Sequence, residues 1–322
     1  MRVLALLPGG ISDQILFFPT LDDIQAQYPN GEIDVIVEPR AKGAYRVCQS
    51  VNEVLTFDYK DRNGLADFGN LLGILRDREY DAAVALGGSS SIGFLLWMSG
   101  IPLRVGYASG LGQLFLSNPV PLKAEQYTAQ MYHDLLQGFG ISSPCPNLSI
   151  RIPQSDIDWA HTQRQQLGAT DGSYILIHGG SSPRSQAKGI DKIYPAQKWQ
   201  KIVENITQKQ PNISIVAIQG PDDAEIVAAM KEACPDIKVI LPPDLGKLAA
   251  IIASANLILC VDSAPLQLAV AVGTYTVGLF GPTNPAKCLP QNDRCIGIQS
   301  PTSRVSDISP DEVLKQVWTI DN

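Results

Sequence analysis

The sequence predicts an α/β protein made of two Rossmann-like units, each with a parallel sheet. Three observations carry this reading. Short apolar, β-rich runs alternate with amphipathic helical stretches from end to end. The chain has 322 residues, long for one core and comfortable for two. The alternation then breaks near residues 150–172 and starts afresh.

In the first half, Val3–Leu7, Ile33–Val37, Glu53–Phe57, Ala82–Leu86 and Leu103–Gly106 read as strands, being β-rich and bounded by turn residues. Helices are expected over 13–28, 65–78 and 124–138, the last stopped by Gly140. Pro144-Cys145-Pro146-Asn147 and Ile152-Pro153-Gln154-Ser155 read as linker, followed by a polar helix over 156–167. In the second half, strands are expected at Tyr174–His178, Ile213–Ile218, Lys238–Leu241, Leu257–Val261 and Thr276–Phe280. Helices fit 195–208, 222–234, 244–255 and 264–272 between them, a pattern that demands right-handed crossovers. Ser309-Pro310-Asp311-Glu312 gives an N-cap, a proline at N1 and first-turn acids for a closing helix. The expected division is an N-terminal unit over 1–155 and a C-terminal unit over 156–308. The helix within 309–322 has the option of packing back on the first unit.

Composition bounds the function. Hydrophobic residues make up 45% and charged residues 18%, as in a packed globule, and the net charge of −7 argues against nucleic acid as a partner. That charge also disfavours strong docking on an anionic membrane, unless a local face departs from the average. The apolar run 92–98 ends at Ser99-Gly100-Ile101-Pro102, short of membrane-spanning length. Pro8-Gly9-Gly10 cuts off the first apolar run, which reads as a buried strand rather than a signal peptide. Six cysteines without a C-x-x-C pair, and three histidines, make a zinc site an unattractive reading; free thiols in a reducing cytosol fit better.

Four strand-end segments carry candidate chemistry. Gly9-Gly10-Ile11-Ser12-Asp13 follows the first strand; the glycines let the backbone approach a ligand closely or turn tightly, and Asp13 is either a general base or a helix-stabilising acid. His178-Gly179-Gly180-Ser181 opens a loop with Arg184, Lys188 and Lys192 that could cradle a diphosphate, or simply be solvated. Glu225, after Gln219-Gly220-Pro221-Asp222-Asp223, could hold a ribose or serve as a first-turn acid; Asp222-Asp223 lacks a third ligand for a metal. Asp262 and Ser263 end one strand and Gly281-Pro282-Thr283 the next, with a small-residue helix between whose amino end suits an anion.

The segment Asp262–Pro285, D-S-A-P-L-Q-L-A-V-A-V-G-T-Y-T-V-G-L-F-G-P-T-N-P, resembles the signature of the family 9 glycosyltransferases, D-[ST]-G-P-x-H-L-A-x-A-x-G-x-P-x-V-x-L-F-G-P-T-x-P. Tyr80-Asp81, Gly100–Tyr107 and Lys192-Ile193-Tyr194-Pro195 follow the family's order over nearly the whole chain. The best-known members are ADP-heptose:lipopolysaccharide heptosyltransferases. The resemblance implies a GT-B architecture, with two Rossmann-like domains facing across a cleft. It implies inverting, metal-independent transfer of a sugar, a heptose among the options, from a nucleotide-sugar, an ADP-linked one among them. The acceptor would be a hydroxyl of a cell-envelope glycan or glycolipid such as lipopolysaccharide core. It makes Asp13 the base and assigns the donor to Gly179, Ser181, Lys192, Glu225, Asp262, Ser263, Gln267, Gly281 and Thr283. It places Gly9, Gly10 and Ser12 on the acceptor side, implies no cofactor or metal, and puts the protein in the cytoplasm with the option of peripheral contact at the inner membrane face; no oligomer is implied. Three positions depart from the pattern: Gln267 for histidine, Ala264 for glycine and Tyr275 for proline. A sugar-nucleotide epimerase of similar build and a catalytically impaired nucleotide-sugar-binding protein are the competing readings.

Overall fold

The computed structural model describes residues 1–61, 64–87, 89–169, 173–180 and 192–319. The chain divides into two compact units, Met1–Arg151 and Ile152–Asn322.

The first unit holds a parallel sheet of β1 (Arg2–Leu7), β2 (Glu32–Val37), β3 (Glu53–Thr56), β4 (Ala82–Ala85), β5 (Leu103–Tyr107) and β6 (Asn118–Val120). Their order is β3-β2-β1-β4-β5-β6. β1 is buried from Val3 to Leu7, because helices cover both sheet faces, which is why its sequence is an unbroken apolar run. Helix α1 (Ile11–Gln27) follows β1, α2 (Leu65–Asp77) leads into β4, and α3 (Ser90–Ser99) leads into β5. Helix α4 (Thr128–His133) runs on as a 3-10 turn over Asp134–Phe139, where one continuous helix was expected.

The second unit repeats the plan. Its strands are β7 (Tyr174–His178), β8 (Ser214–Ile218), β9 (Lys238–Ile240), β10 (Leu257–Val261), β11 (Tyr275–Phe280) and β12 (Cys295–Gln299), all parallel, in the order β12-β11-β10-β7-β8-β9. The helices are α5 (Gln154–Gln166), α6 (Ala196–Lys209), α7 (Ala224–Ala233), α8 (Leu245–Ala253), α9 (Ala264–Val272), the single turn α10 (Pro285–Cys288) and α11 (Pro310–Thr319). Trp199, Ile202 and Ile206 of α6 join Ile177, Leu259 and Leu279 of the sheet in one core. The closing helix α11 packs on α6, β11 and β12, burying Val313, Leu314 and Val317 in that same core.

Among the described residues no helix is long and apolar enough to cross a membrane, and no cluster of three or more His, Cys, Asp or Glu could hold a metal. All six cysteines are free; burial pushes the Cys48 thiol up to about 12 and the Cys145 thiol up to about 11.

The first sheet contains a fully buried acid. Asp34 on β2 accepts from Tyr80 Oη at 2.7 Å, Arg78 Nη1 at 3.0 Å and Asn52 Nδ2 at 3.3 Å. Removing Asp34 leaves the buried Tyr80 hydroxyl without that acceptor, while Arg78, 24% exposed, keeps its pair with Glu53. Asp34→Ala should lower the unfolding free energy by about 2 kcal/mol in urea titrations; a loss under about 0.5 kcal/mol would show that the cluster contributes little.

Candidate functional site

Both strand orders reverse direction at one point. In the first unit, chain order runs outward from β1 to β3 on one side and from β4 to β6 on the other. In the second, the reversal lies between β7 and β10, which pair directly through His178 opposite Cys260. The segments leaving two such strands diverge to opposite faces of the sheet, so a crevice opens beyond their carboxyl ends.

Around the second crevice, four consecutive strands deliver the predicted residues. Asp262, just past β10, is the meeting point. Its Oδ2 accepts from Lys192 Nζ at 2.6 Å and from Thr283 Oγ1 at 2.8 Å. Lys192 precedes α6 and Thr283 follows β11, so one carboxylate ties three chain segments together. The Lys192 and Asp262 side chains keep 18% and 12% of their exposure, leaving the ammonium within reach of a ligand. Gly281 fits because a Cβ there would stand 2.9 Å from the Ser303 carbonyl oxygen and from Val305 N.

Ser263 is the N-cap of α9 and its hydroxyl donates to the Val261 carbonyl at 2.9 Å. Its side chain therefore does not cap α9; of the first turn, Pro265 has no N–H and Leu266 N donates to the Ser263 carbonyl at 3.1 Å, so the Ala264 N–H is the one without a cap. Ser263 Oγ also lies 3.2 Å from His178 Nδ1, and His178 Nε2 lies 2.9 Å from Asp223 Oδ2. Asp223 in turn accepts from Gly220 N at 3.2 Å. This Ser263–His178–Asp223 chain spans the strand-order reversal. The sequence places His178 at the end of an expected strand and Asp223 in a pair that lacks a third metal ligand, with nothing to link the two. Gly180 makes the contact feasible, since a Cβ there would collide with the Asp223 carboxylate. Gly179 sits against the buried indole of Trp199 in the same way.

Other expected donor residues sit differently. Glu225 is exposed on the first turn of α7, and Asp223, two residues earlier at the N-cap, is the buried acid. Gln267 is 1% exposed on α9; its Nε2 donates to the Cys288 carbonyl at 3.1 Å, and its Oε1 has no hydrogen-bond partner. Ser181, with Arg184 and Lys188, lies outside the described residues. A cavity of about 640 Å³ opens at the amino ends of β8 and β9, lined by Glu204, Ser214, Asp236 and Lys238 among others, away from these strand ends.

In the first unit, Asp13 sits in the first turn of α1, directly after β1. Its Oδ2 accepts from Gly10 N at 2.8 Å and its Oδ1 from Tyr132 Oη at 2.9 Å. The helix-stabilising role is thus filled, and each oxygen keeps a second lone pair. Gly9 is required here: a Cβ would stand 2.4 Å from the Asp13 Cβ. Ser12 is half-buried beside it. Gln14, the next residue, is fully buried and anchors the turn through Leu7 O at 3.1 Å and Tyr45 Oη at 2.7 Å. Sequence reasoning missed Tyr132, whose partner lies far away along the chain.

Burial works against ionising Asp223, but the His178 bond and charge and the Gly220 N–H outweigh it, so its pKa lies below the usual value. A depressed carboxyl contributes stability that is complete above the unfolded value, about 4, and is lost as pH falls through the lowered folded value. Asp223→Asn should therefore be less stable than the parent at neutral pH, the gap closing below about pH 4 in melting curves. A gap constant across that range would remove His178 and Gly220 as the cause.

The model of glycosyltransferase family 9 (heptosyltransferase) matches residues 70–317. The chain is 27% identical, over 95% of its length and 71% of the other's, to photosynthetic NDH subunit of subcomplex B 1 of Arabidopsis thaliana. It is 22% identical to lipopolysaccharide heptosyltransferase 3 of Escherichia coli, over 84% of this chain and 81% of that one. The fold matches that of E. coli ADP-heptose lps heptosyltransferase II with a TM-score of 0.79 at 19% identity, covering 99% of this chain and 98% of that one. A UDP-GlcNAc 2-epimerase from Methanocaldococcus jannaschii matches more loosely, with a TM-score of 0.59 at 13% identity over 100% and 93% of the two chains. With two six-stranded Rossmann-like sheets and a family match over most of its length, the chain belongs to glycosyltransferase family 9 and has the GT-B fold.

Proposed function

We infer that the protein transfers a sugar from a nucleotide-sugar to a hydroxyl of a cell-envelope glycan or glycolipid, with inversion and without an essential metal. The observation that carries this reading is the convergence of Lys192, Thr283 and Asp262 beside the uncapped amino end of α9. A departing nucleoside diphosphate needs positive charge placed where its negative charge develops. Lys192, with the Ala264 N–H at the amino end of α9, supplies it in place of a metal ion. Asp262 holds the lysine until the ligand arrives, and Ser263, backed by His178 and Asp223, offers a hydroxyl at the same edge.

In this reading Asp13 of the first unit takes the proton of the attacking acceptor hydroxyl. Its lone pairs not used by Gly10 and Tyr132 are the ones available for that proton. The two Asp13 donors keep the carboxylate oriented. The heptosyltransferase relatives make an ADP-heptose donor and a lipopolysaccharide core acceptor the first pair to test. Cytoplasmic residence with peripheral contact at the membrane's inner face belongs to the same proposal.

A second reading is favoured by the relative named as a subunit of a photosynthetic NDH subcomplex, whose identity exceeds that of the heptosyltransferase named above. The protein would then keep the nucleotide-sugar fold and act as a non-catalytic component of an assembly. The buried Gln267, bonded to Cys288 where the family pattern has histidine, suits loss of a charged donor contact.

Product formation from ADP- or UDP-sugars and a lipooligosaccharide acceptor separates the two readings. Asp13→Asn should cut transfer by about a hundredfold to ten-thousandfold while donor affinity, read by calorimetry, stays near that of the parent. Lys192→Ala should weaken donor binding by about tenfold or more. Donor binding without turnover by the parent protein favours the second reading, and epimerisation of the sugar without acceptor would contradict both.

A further inference from the structure

We propose that the face formed by α3 and the following turn Leu111–Phe115 docks on a lipid bilayer surface carrying anionic headgroups. It deepens the peripheral-contact part of the function proposed above and rests on that part alone.

The face is apolar and exposed. Phe94 and Trp97 of α3 are 47% and 52% exposed, and Leu111 and Leu114 of the turn 72% and 75%. Single exposed apolar residues are ordinary, but a contiguous group of them is not. Here Phe94, Trp97 and Phe115 pack ring against ring, with centroids 5.5, 5.9 and 6.2 Å apart. The fold holds them there: α3 and the turn meet so closely at Gly93 that a Cβ would stand 2.6 Å from the Gly112 carbonyl oxygen. On the inner side of α3, Ile92, Leu95 and Leu96 fill the core, so the outer aromatic row is surplus to folding.

Charge selects the occupant. The chain carries 32 acids and a net charge of −7, yet no Asp or Glu occurs from Ala82 to Ala124. The cation in the middle of that stretch is Arg104, whose guanidinium is fixed beside the aromatic row by the carbonyls of Phe115 at 2.8 Å and Pro102 at 3.2 Å. Arg76 also donates to the Met98 carbonyl at 2.8 Å, with Glu79 beside Ser99 at that end of α3, so the apolar face carries a small cationic excess that complements anionic headgroups over an acyl layer, where Trp and Phe side chains settle at the boundary. A ten-residue helix with an apolar outer row lies on a bilayer rather than spanning it. Helix α3 also follows β4, the strand paired with β1, whose end carries Gly9 to Asp13. A docked bilayer would therefore stand on the acceptor side of the first unit, where a glycolipid hydroxyl has to arrive.

Flotation of the full chain with vesicles of phosphatidylethanolamine and phosphatidylglycerol in equal parts tests this. The parent protein should float with the vesicles. The double variant Trp97→Ser, Leu114→Ser should partition at least about tenfold more weakly with an unchanged melting temperature, since both side chains are exposed. Leu241→Ser, an equally exposed leucine of the second unit, should float like the parent. A parent protein that stays with the soluble fraction, or a double variant that floats equally well, overturns the proposal. So does a lipid-free dimer that the double variant abolishes, which would make a second copy the occupant. Flotation requires neither donor nor acceptor. Absent turnover with flotation intact therefore counts only against the transferase reading, and transfer to a soluble acceptor without flotation only against docking.

Discussion

The direct pairing of β7 with β10, and of β1 with β4, is the constraint on which the rest of the molecule depends. Each pairing joins strands whose following segments leave toward opposite sheet faces, so the edge between them cannot be covered by its own connections. Asp13, His178, Asp262 and Ser263 all lie just at or beyond those two edges. The buried apolar strands fix the edges in space, and the polar residues just beyond them inherit that rigidity.

At the second edge the electrostatics are organised around two carboxylates with different jobs. Asp262 is partly exposed and holds the cation Lys192, itself partly exposed. Asp223 is buried and holds His178 firmly across the strand-order reversal to Ser263. The first arrangement suits exchange with a ligand; the second suits a fixed frame around it. At the first edge Asp13 combines both features, being anchored by Gly10 and Tyr132 yet half-buried.

Much of the fold was legible because central parallel strands are buried on both faces and read as continuous apolar runs; Tyr174–His178 and Leu257–Val261 match their expected bounds. The edge strands Asn118–Val120 and Cys295–Gln299 were not, since partial exposure and the Pro119 and Gly297 positions break that signal. Helix α3 escaped because apolar residues occupy its outer as well as its inner face, leaving no amphipathic period to read. In the site, the meeting of Asp262, Ser263, Thr283 and Lys192 was legible from the long signature and the strand ends. The His178–Asp223 contact was not: Asp223 sits among Asp222 and Glu225 at a helix start, where any of the three could be a plain first-turn acid, and only the neighbouring strands decide which one turns inward.

The central claim is that the amino end of α9, with Lys192, receives the diphosphate of a nucleotide-sugar. A crystal structure of the chain bound to an ADP- or UDP-sugar tests it most directly. Phosphate oxygens should lie within hydrogen-bonding reach of the Ala264 N–H at the amino end of α9, with Lys192 Nζ moved from Asp262 onto the phosphate. A nucleotide seated in the cavity at the amino ends of β8 and β9, with the Lys192–Asp262 pair intact and the α9 terminus empty, would contradict it.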